Sequence, residues 1–254
     1  MAHVAADSQF DTRTPAKVAE ERPAPPLRAV VGPLAVELLA AYILLTACWV
    51  GLGFLLTGPL AGTAVADVDN DVATWLVDQR TPMLNDWSHM GGNLAETLVK
   101  IIVTAVIAGI MLLVWRSWRE PFIVAAALVL EASVFITTTW IVSRPRPNVE
   151  RLDSSPVDSS FPSGHVAAAV AYGAIAVVVF QRVRNRIARV IVLVVVIAVP
   201  IIVAWARMYR GMHYLTDVIA GALLGAASVI AVVVVVRRAD AHALAKSARH
   251  SLPQ

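Results

Sequence analysis

The sequence predicts an all-α fold: a six-span transmembrane helical bundle with a short helical loop on the outer face between spans one and two. Three observations lead there. Of 254 residues, 58% are hydrophobic and only 15% are charged, with a mean hydropathy of +0.69, whereas soluble domains are about half apolar and roughly a quarter charged. The apolar residues fall in six runs, near 34–56, 97–115, 121–142, 163–181, 187–206 and 214–236, each close to the ~20 residues a helix needs to span a bilayer. The basic residues then sort to one side of the resulting six-span arrangement.

Residues 1–33 are polar and carry Pro15, Pro23, Pro25, Pro26 and Pro33, which predicts a disordered tail. The run at 34–56 is followed by Ala64-Val65-Ala66, which resembles a signal-peptide cleavage site. The run is longer than a signal core and its leading tail is long, so a retained anchor is expected. Cys48 lies inside this run and is the single cysteine, so neither a disulfide framework nor a thiolate metal site is available.

After it, Val68, Val72, Trp75 and Leu76 fall on one helical face, with Asp69, Asp71 and Asp78 largely off it. Thr81-Pro82 offers an N-cap and a first-turn proline for a second short helix with Met83, Leu84 and Trp87. These helices lie either in the outer membrane interface, where tryptophan is favoured, or as a lid on the bundle without lipid contact.

Span three carries Glu131 and span one carries Glu37, for both of which a protonated or helix-paired structural role is expected ahead of a proton path. The fourth span is the weakest, its purely apolar stretch beginning at Val166. The fifth contains Pro200, which should kink it without ending it. Arg13, Lys17, Arg22, Arg28, Arg116, Arg119, Arg182, Arg184, Arg186, Arg189, Arg237, Arg238, Lys246 and Arg249, fourteen of the 21 basic residues, fall on one face. By the positive-inside rule that face is cytoplasmic, with the tails 1–33 and 237–254. A net charge of +3, without a basic stripe interleaved with aromatics, excludes a nucleic-acid partner.

Three polar segments break the apolar pattern, all on the opposite face: 143–147 (Ser-Arg-Pro-Arg-Pro), 161–165 (Phe-Pro-Ser-Gly-His) and 207–217, from Arg207 to Asp217. Ionisable groups at membrane depth normally mark a functional cavity. Arginine forks match phosphate oxygens. Pro162-Ser163-Gly164 resembles a helix start, where free amides and the helix dipole seat an anion. His213 and Asp217 are four apart and share a helical face, so the carboxylate can hold one imidazole nitrogen protonated and leave the other to attack. His165 is then the imidazole suited to proton transfer.

These segments resemble the signature motifs of the type-2 phosphatidic acid phosphatase family, which includes polyprenyl diphosphate phosphatases and is related to vanadium haloperoxidases. The family pattern is a lysine, six residues and Arg-Pro; then Pro-Ser-Gly-His; then Ser-Arg, five residues, His, three residues and Asp. Pro162-Ser163-Gly164-His165 is intact, Arg207, His213 and Asp217 match with Ala206 in the serine position, and Arg146-Pro147 match with Thr139 in the lysine position.

The resemblance implies that His213 becomes a phosphohistidine, Asp217 orients it, and His165 protonates the leaving lipid oxygen. Arg146, Arg207, Ser163 and the Gly164 amide would hold the phosphoryl oxygens. Thr139 supplies a hydroxyl but no charge there; Arg144 and Lys100 are the two conceivable replacements for the missing lysine, and the plainer alternative is that Arg144 faces headgroups and Lys100 snorkels to the interface. No cofactor or metal is implied. The expected activity is hydrolysis of an isoprenyl diphosphate, phosphatidic acid or phosphatidylglycerol phosphate at the outer face of the plasma membrane. A phosphotransferase using the same histidines and a non-catalytic lipid-phosphate binder or transporter are the alternatives.

Overall fold

The computed structural model describes residues 27–94, 96–155 and 158–250. Among them lie helices α1 (Leu27–Thr57), α2 (Ala64–Asp78), α3 (Pro82–Asn93), α4 (Thr97–Trp115), α5 (Arg119–Ile141), α6 (Gly164–Ala171), α7 (Gly173–Arg182), α8 (Arg186–Tyr209) and α9 (Leu215–His250), and no strand. Six stretches are long and apolar enough to cross a membrane: Gly32–Thr57, Leu98–Trp115, Arg119–Ile141, Gly164–Arg182, Arg186–Tyr209 and Leu215–His242. Each overlaps an expected span, and the chain is a multi-pass membrane protein. The expected tail at 1–33 lies outside the described residues as far as residue 26; α1 already begins at Leu27, and α9 runs past residue 236.

The middle of the bundle is made by α5, α6–α7 and α9, whose apolar windows are half buried, while only 6% of the α4 window is. In lipid, helix association depends on close van der Waals contact rather than on escape from water. Gly221 and Gly225 of α9 supply that contact. A Cβ at Gly221 would stand 2.4 Å from the Ser163 carbonyl oxygen, and one at Gly225 2.3 Å from that of Ala167. The approach brings the start of α6 onto the start of α9, where the Ser163 amide donates to Asp217 O at 3.0 Å.

The fourth span is interrupted at Tyr172, between α6 and α7. There the Tyr172 hydroxyl donates to Lys100 O of α4 at 2.9 Å. Helix α8 continues through Pro200.

Ion pairs gather one end of the bundle: Glu37 of α1 with Arg238 of α9 at 3.7 Å, Arg119 of α5 with Asp240 of α9 at 2.9 Å, and Glu120 with Arg182 of α7. The three polar segments therefore lie at the other end, because each joins helices that start or finish there. Glu131 is buried in α5, and neither carboxyl oxygen has a hydrogen-bond partner among the described residues.

The connection between the first two spans is helical, as expected, and Thr81 caps α3 by accepting from the Leu84 amide at 3.2 Å. The apolar face expected for α2 is divided between the bundle and the outside. The buried side of α2 is Asp69, Ala73 and Leu76, whereas Val68 and Trp75 are exposed, as are Met83, Trp87 and Met90 of α3. The ion pair made by Asp69, described below, turns that one carboxylate inward beside Leu76, while Asp67, Asp71 and Asp78 stay exposed and Trp75 faces outward.

Candidate active site

His213 lies in the turn between α8 and α9. The turn depends on Gly211, whose φ of +72° is in the left-handed region and whose Cβ, if present, would stand 2.8 Å from Glu150 O. The imidazole is buried, with Nδ1 2.7 Å from Ser160 O. A carbonyl only accepts, so Nδ1 carries the proton and the neutral ring holds its lone pair on Nε2. Burial, aided by the charges of Arg207 and Arg146, holds the His213 pKa well below the usual imidazole value. The ring is therefore uncharged at neutral pH.

Asp217 Oδ2 is 3.9 Å from His213 Nδ1, beyond hydrogen-bond reach. Instead it accepts from the Tyr214 amide at 2.9 Å, as a third-position acid of a helix reaches back to its capping residue. Its other oxygen, Oδ1, accepts from Arg144 Nη1 at 2.5 Å. Arg144 Nη1 also donates to Thr216 Oγ1 at 2.7 Å, and Nη2 donates to Asp69 Oδ2 at 2.8 Å. Asp69 accepts further from the Thr216 amide at 3.0 Å and from its hydroxyl at 2.5 Å. The guanidinium lies 4.6 Å from the centroid of the Tyr214 ring.

Arg146 Nη1 donates to Met212 O at 2.5 Å, and Nη2 to Ser155 Oγ at 2.9 Å and Ser159 O at 3.2 Å. Burial, with Arg207 and Arg151 nearby, lowers its pKa to about 10, so it keeps its charge at neutral pH. Arg207 is buried and donates through Nη1 to Asp153 Oδ2 at 3.2 Å. The fork of Arg210 grips the same carboxylate through Nε at 2.7 Å and Nη2 at 2.6 Å, and its Nη1 reaches Asn85 O and Ser88 Oγ of α3. Burial pushes the Asp153 carboxyl up, but Arg210 and Arg207 outweigh it and hold the pKa below the usual carboxylate value.

Ser163 occupies the N-cap position of α6 without capping it, and its hydroxyl is buried. Gly164 is packed so closely on Phe135 that a Cβ would stand 2.7 Å from the ring. His165 Nε2 lies 3.5 Å from Glu96 Oε1. Ser163 Oγ, His165 Nε2 and Arg207 Nε are buried without a hydrogen-bond partner among the described residues. The charges of Arg207, Arg146 and His165 all act on His213.

Two of the expected phosphate-binding positions are otherwise engaged. Thr139 turns its hydroxyl into its own helix, onto Phe135 O at 3.1 Å and Ile136 O at 2.9 Å, and Arg144 faces carboxylates. Lys100 lies close enough to Glu131 and His165 for its charge to act on both. Ala206, in the serine position of the motif, is fully buried. Sequence reasoning missed Asp69, Glu96, the Asp153–Arg210 clamp and the Ser160 carbonyl. The first three are charged side chains in an apolar chain, but of these only Arg210 lies in one of the polar segments; a backbone carbonyl leaves no signal.

The family model described as PAP2 superfamily matches residues 120–241. No curated protein matches the sequence. Among solved structures, the first transmembrane PAP2 type phosphatidylglycerolphosphate phosphatase from Bacillus subtilis is similar over 78% of this chain and 92% of its own, with 22% identity and a TM-score of 0.63. LpxE of Aquifex aeolicus aligns over 66% of this chain and 93% of its own, with 23% identity and a TM-score of 0.47. The likeness to the Bacillus protein is one of fold.

Proposed function

The chain carries the PAP2 superfamily domain, and from that premise we propose that it is a metal-independent lipid phosphate phosphatase working through a phosphohistidine. The observation that carries this reading is the gathering of buried, unpaired polar atoms (Ser163 Oγ, His165 Nε2 and Arg207 Nε) on residues of the same motifs as a neutral His213. Buried polar groups are normally paired; the phosphoryl oxygens would pair Ser163 Oγ and Arg207 Nε, and the leaving oxygen would pair His165 Nε2.

In the first step His213 Nε2 attacks phosphorus. A P–N bond forms, the P–O bond to the lipid breaks, and the leaving oxygen takes a proton from His165 Nε2. In the second step water attacks phosphorus, His165 accepts its proton, and the P–N electrons return to Nε2 as phosphate leaves. Arg207, Arg146, Ser163 and the Gly164 amide stabilise the charge that builds on the phosphoryl oxygens, while Asp217 fixes the turn that carries His213. The exposed Trp75, Trp87, Met83 and Met90 beside the site suit the membrane interface, so the substrate is a lipid already in the bilayer. An isoprenyl diphosphate, phosphatidic acid and phosphatidylglycerol phosphate all fit this description.

The basic residues at the opposite end favour cytoplasmic termini in the plasma membrane and a site on the outer face. The test is phosphate release by the detergent-solubilised protein from these three lipids, with and without EDTA, beside His213→Ala. Release from at least one lipid, unaffected by EDTA and abolished by the substitution, is expected. Undiminished release by His213→Ala removes the reading.

A further inference from the structure

We infer that Asp69 and Arg144 are positioning residues for the reaction, acting through Thr216 and Asp217 so that docking of α2 completes the setting of the turn that carries His213. The inference rests on His213 being the nucleophile.

Arg144 sits two residues before Arg146, yet it is not presented to a ligand. Both hydrogens of Nη1 are used, on Asp217 Oδ1 and Thr216 Oγ1. Nη2 faces Asp69, and the Tyr214 ring lies against the guanidinium. Asp69 is 1% exposed and Asp217 0%, so neither carboxylate draws much stabilisation from solvent, and each needs the arginine between them.

Asp69 receives three donors and offers none: the Thr216 amide, the Thr216 hydroxyl and Arg144 Nη2. An ionised carboxylate accepts all three, whereas an asparagine would turn its own N–H onto at least one of them. Thr216 closes the ring, accepting from Arg144 and donating to Asp69. Asp217, held from behind by Arg144, in turn holds the amide of Tyr214, the residue next to His213. The order of contacts runs from α2 through Asp69, Arg144 with Thr216, Asp217 and Tyr214 to the nucleophile.

The ring also has an electrostatic consequence. Two carboxylates around one guanidinium leave one net negative charge beside His213. The charged and titratable groups that face His213 are Asp217 from α9, Arg207 from α8, Arg146 from the segment after α5, and His165 from α6. Losing the positive charge of Arg144 leaves two negative charges and favours the imidazolium; losing the charge of Asp69 leaves none and disfavours it. The two changes therefore move the acid limb of kcat/KM in opposite directions, which a loss of packing alone does not do.

The experiment measures kcat, KM and the acid limb of kcat/KM for the detergent-solubilised full chain. It uses whichever of isoprenyl diphosphate, phosphatidic acid and phosphatidylglycerol phosphate the wild type hydrolyses, and compares R144Q, D69N, T216V, T216S and H213A. R144Q and D69N are expected to lose about 10- to 100-fold in kcat, the scale on which outer partners of an imidazole act elsewhere, with KM within about threefold. The acid limb should move to higher pH in R144Q and to lower pH in D69N. T216V, close to threonine in shape, should lose activity as D69N does, while T216S stays within about twofold of wild type.

A KM raised more than about tenfold in R144Q with kcat retained would make Arg144 a phosphate ligand and overturn the inference. So would unmoved acid limbs together with a fully active T216V. If H213A remains active, or the wild type releases phosphate from none of the lipids, the underlying reading fails first. An inactive H213A beside wild-type behaviour of R144Q and D69N removes this inference alone.

Discussion

With Nδ1 committed to the Ser160 carbonyl, His213 stays uncharged into the acid range, and in the proposed reaction it attacks through Nε2. Protonation would remove the attacking lone pair, and because the pKa is lowered, that loss falls at lower pH than for a free imidazole. The expected outcome is a kcat/KM that holds through pH ~6.5, the usual imidazole value, and declines only below it. This is read against the separately measured ionisation of the lipid phosphate. Gly211 makes the same turn possible. Gly211→Ala forces a side chain into the left-handed region and onto Glu150 O, so a loss of about 1–3 kcal/mol is expected, seen as a lower Tm in detergent together with reduced kcat. His213, His165 and Asp217 were legible in the sequence because each is a charged or titratable side chain in an apolar chain. The role of Asp217 was only half legible: spacing puts it on the face of His213, but a difference between 3.9 Å and a hydrogen bond is decided by which donors, here Arg144 and the Tyr214 amide, reach the carboxylate first.

Among the elements, α6 and α9 are brought together by two glycines, and a methyl group is enough to test that. Gly225→Ala places a Cβ 2.3 Å from a backbone oxygen that has little room to move. Overpacking of this kind costs about 1–3 kcal/mol, so a lowered Tm is expected. Gly109→Ala in α4 meets nothing within 4 Å and should leave Tm unchanged or slightly raised, alanine being the better helix former. The four-residue spacing of Gly221 and Gly225 is readable from the sequence alone. The orientation of α2 is not, and the reason is physical. An amphipathic pattern identifies the buried face only when the other face meets water. Beside a bilayer, Val68 and Trp75 can face outward, and the inward side is decided instead by the partners of one carboxylate.

For the whole molecule, the ion pairs that join Glu37 to Arg238 and Arg119 to Asp240 set the first part of α1 and the last part of α9 at the end of the bundle away from His213. In a Cys48→Ser background, Ala245→Cys is expected to resist a membrane-impermeant maleimide in intact cells, and Gln79→Cys, in the exposed turn between α2 and α3, to react. The reverse pattern would invert the proposed topology. Six spans were legible because hydropathy and charge, summed over twenty residues, tolerate errors at any one of them. The completed site was not, since the family match at residues 120–241 excludes Asp69 and Glu96. That division also has a consequence in time. Asp69 leaves the ribosome 75 residues before Arg144 and 147 before Thr216, so its carboxylate is made long before the groups that satisfy it. The first partner arrives when α5 is in place, and the ring closes only after α9 has been made. A nascent chain thus gains its bundle gradually, but under the proposed role of this ring it becomes competent for chemistry in one late step.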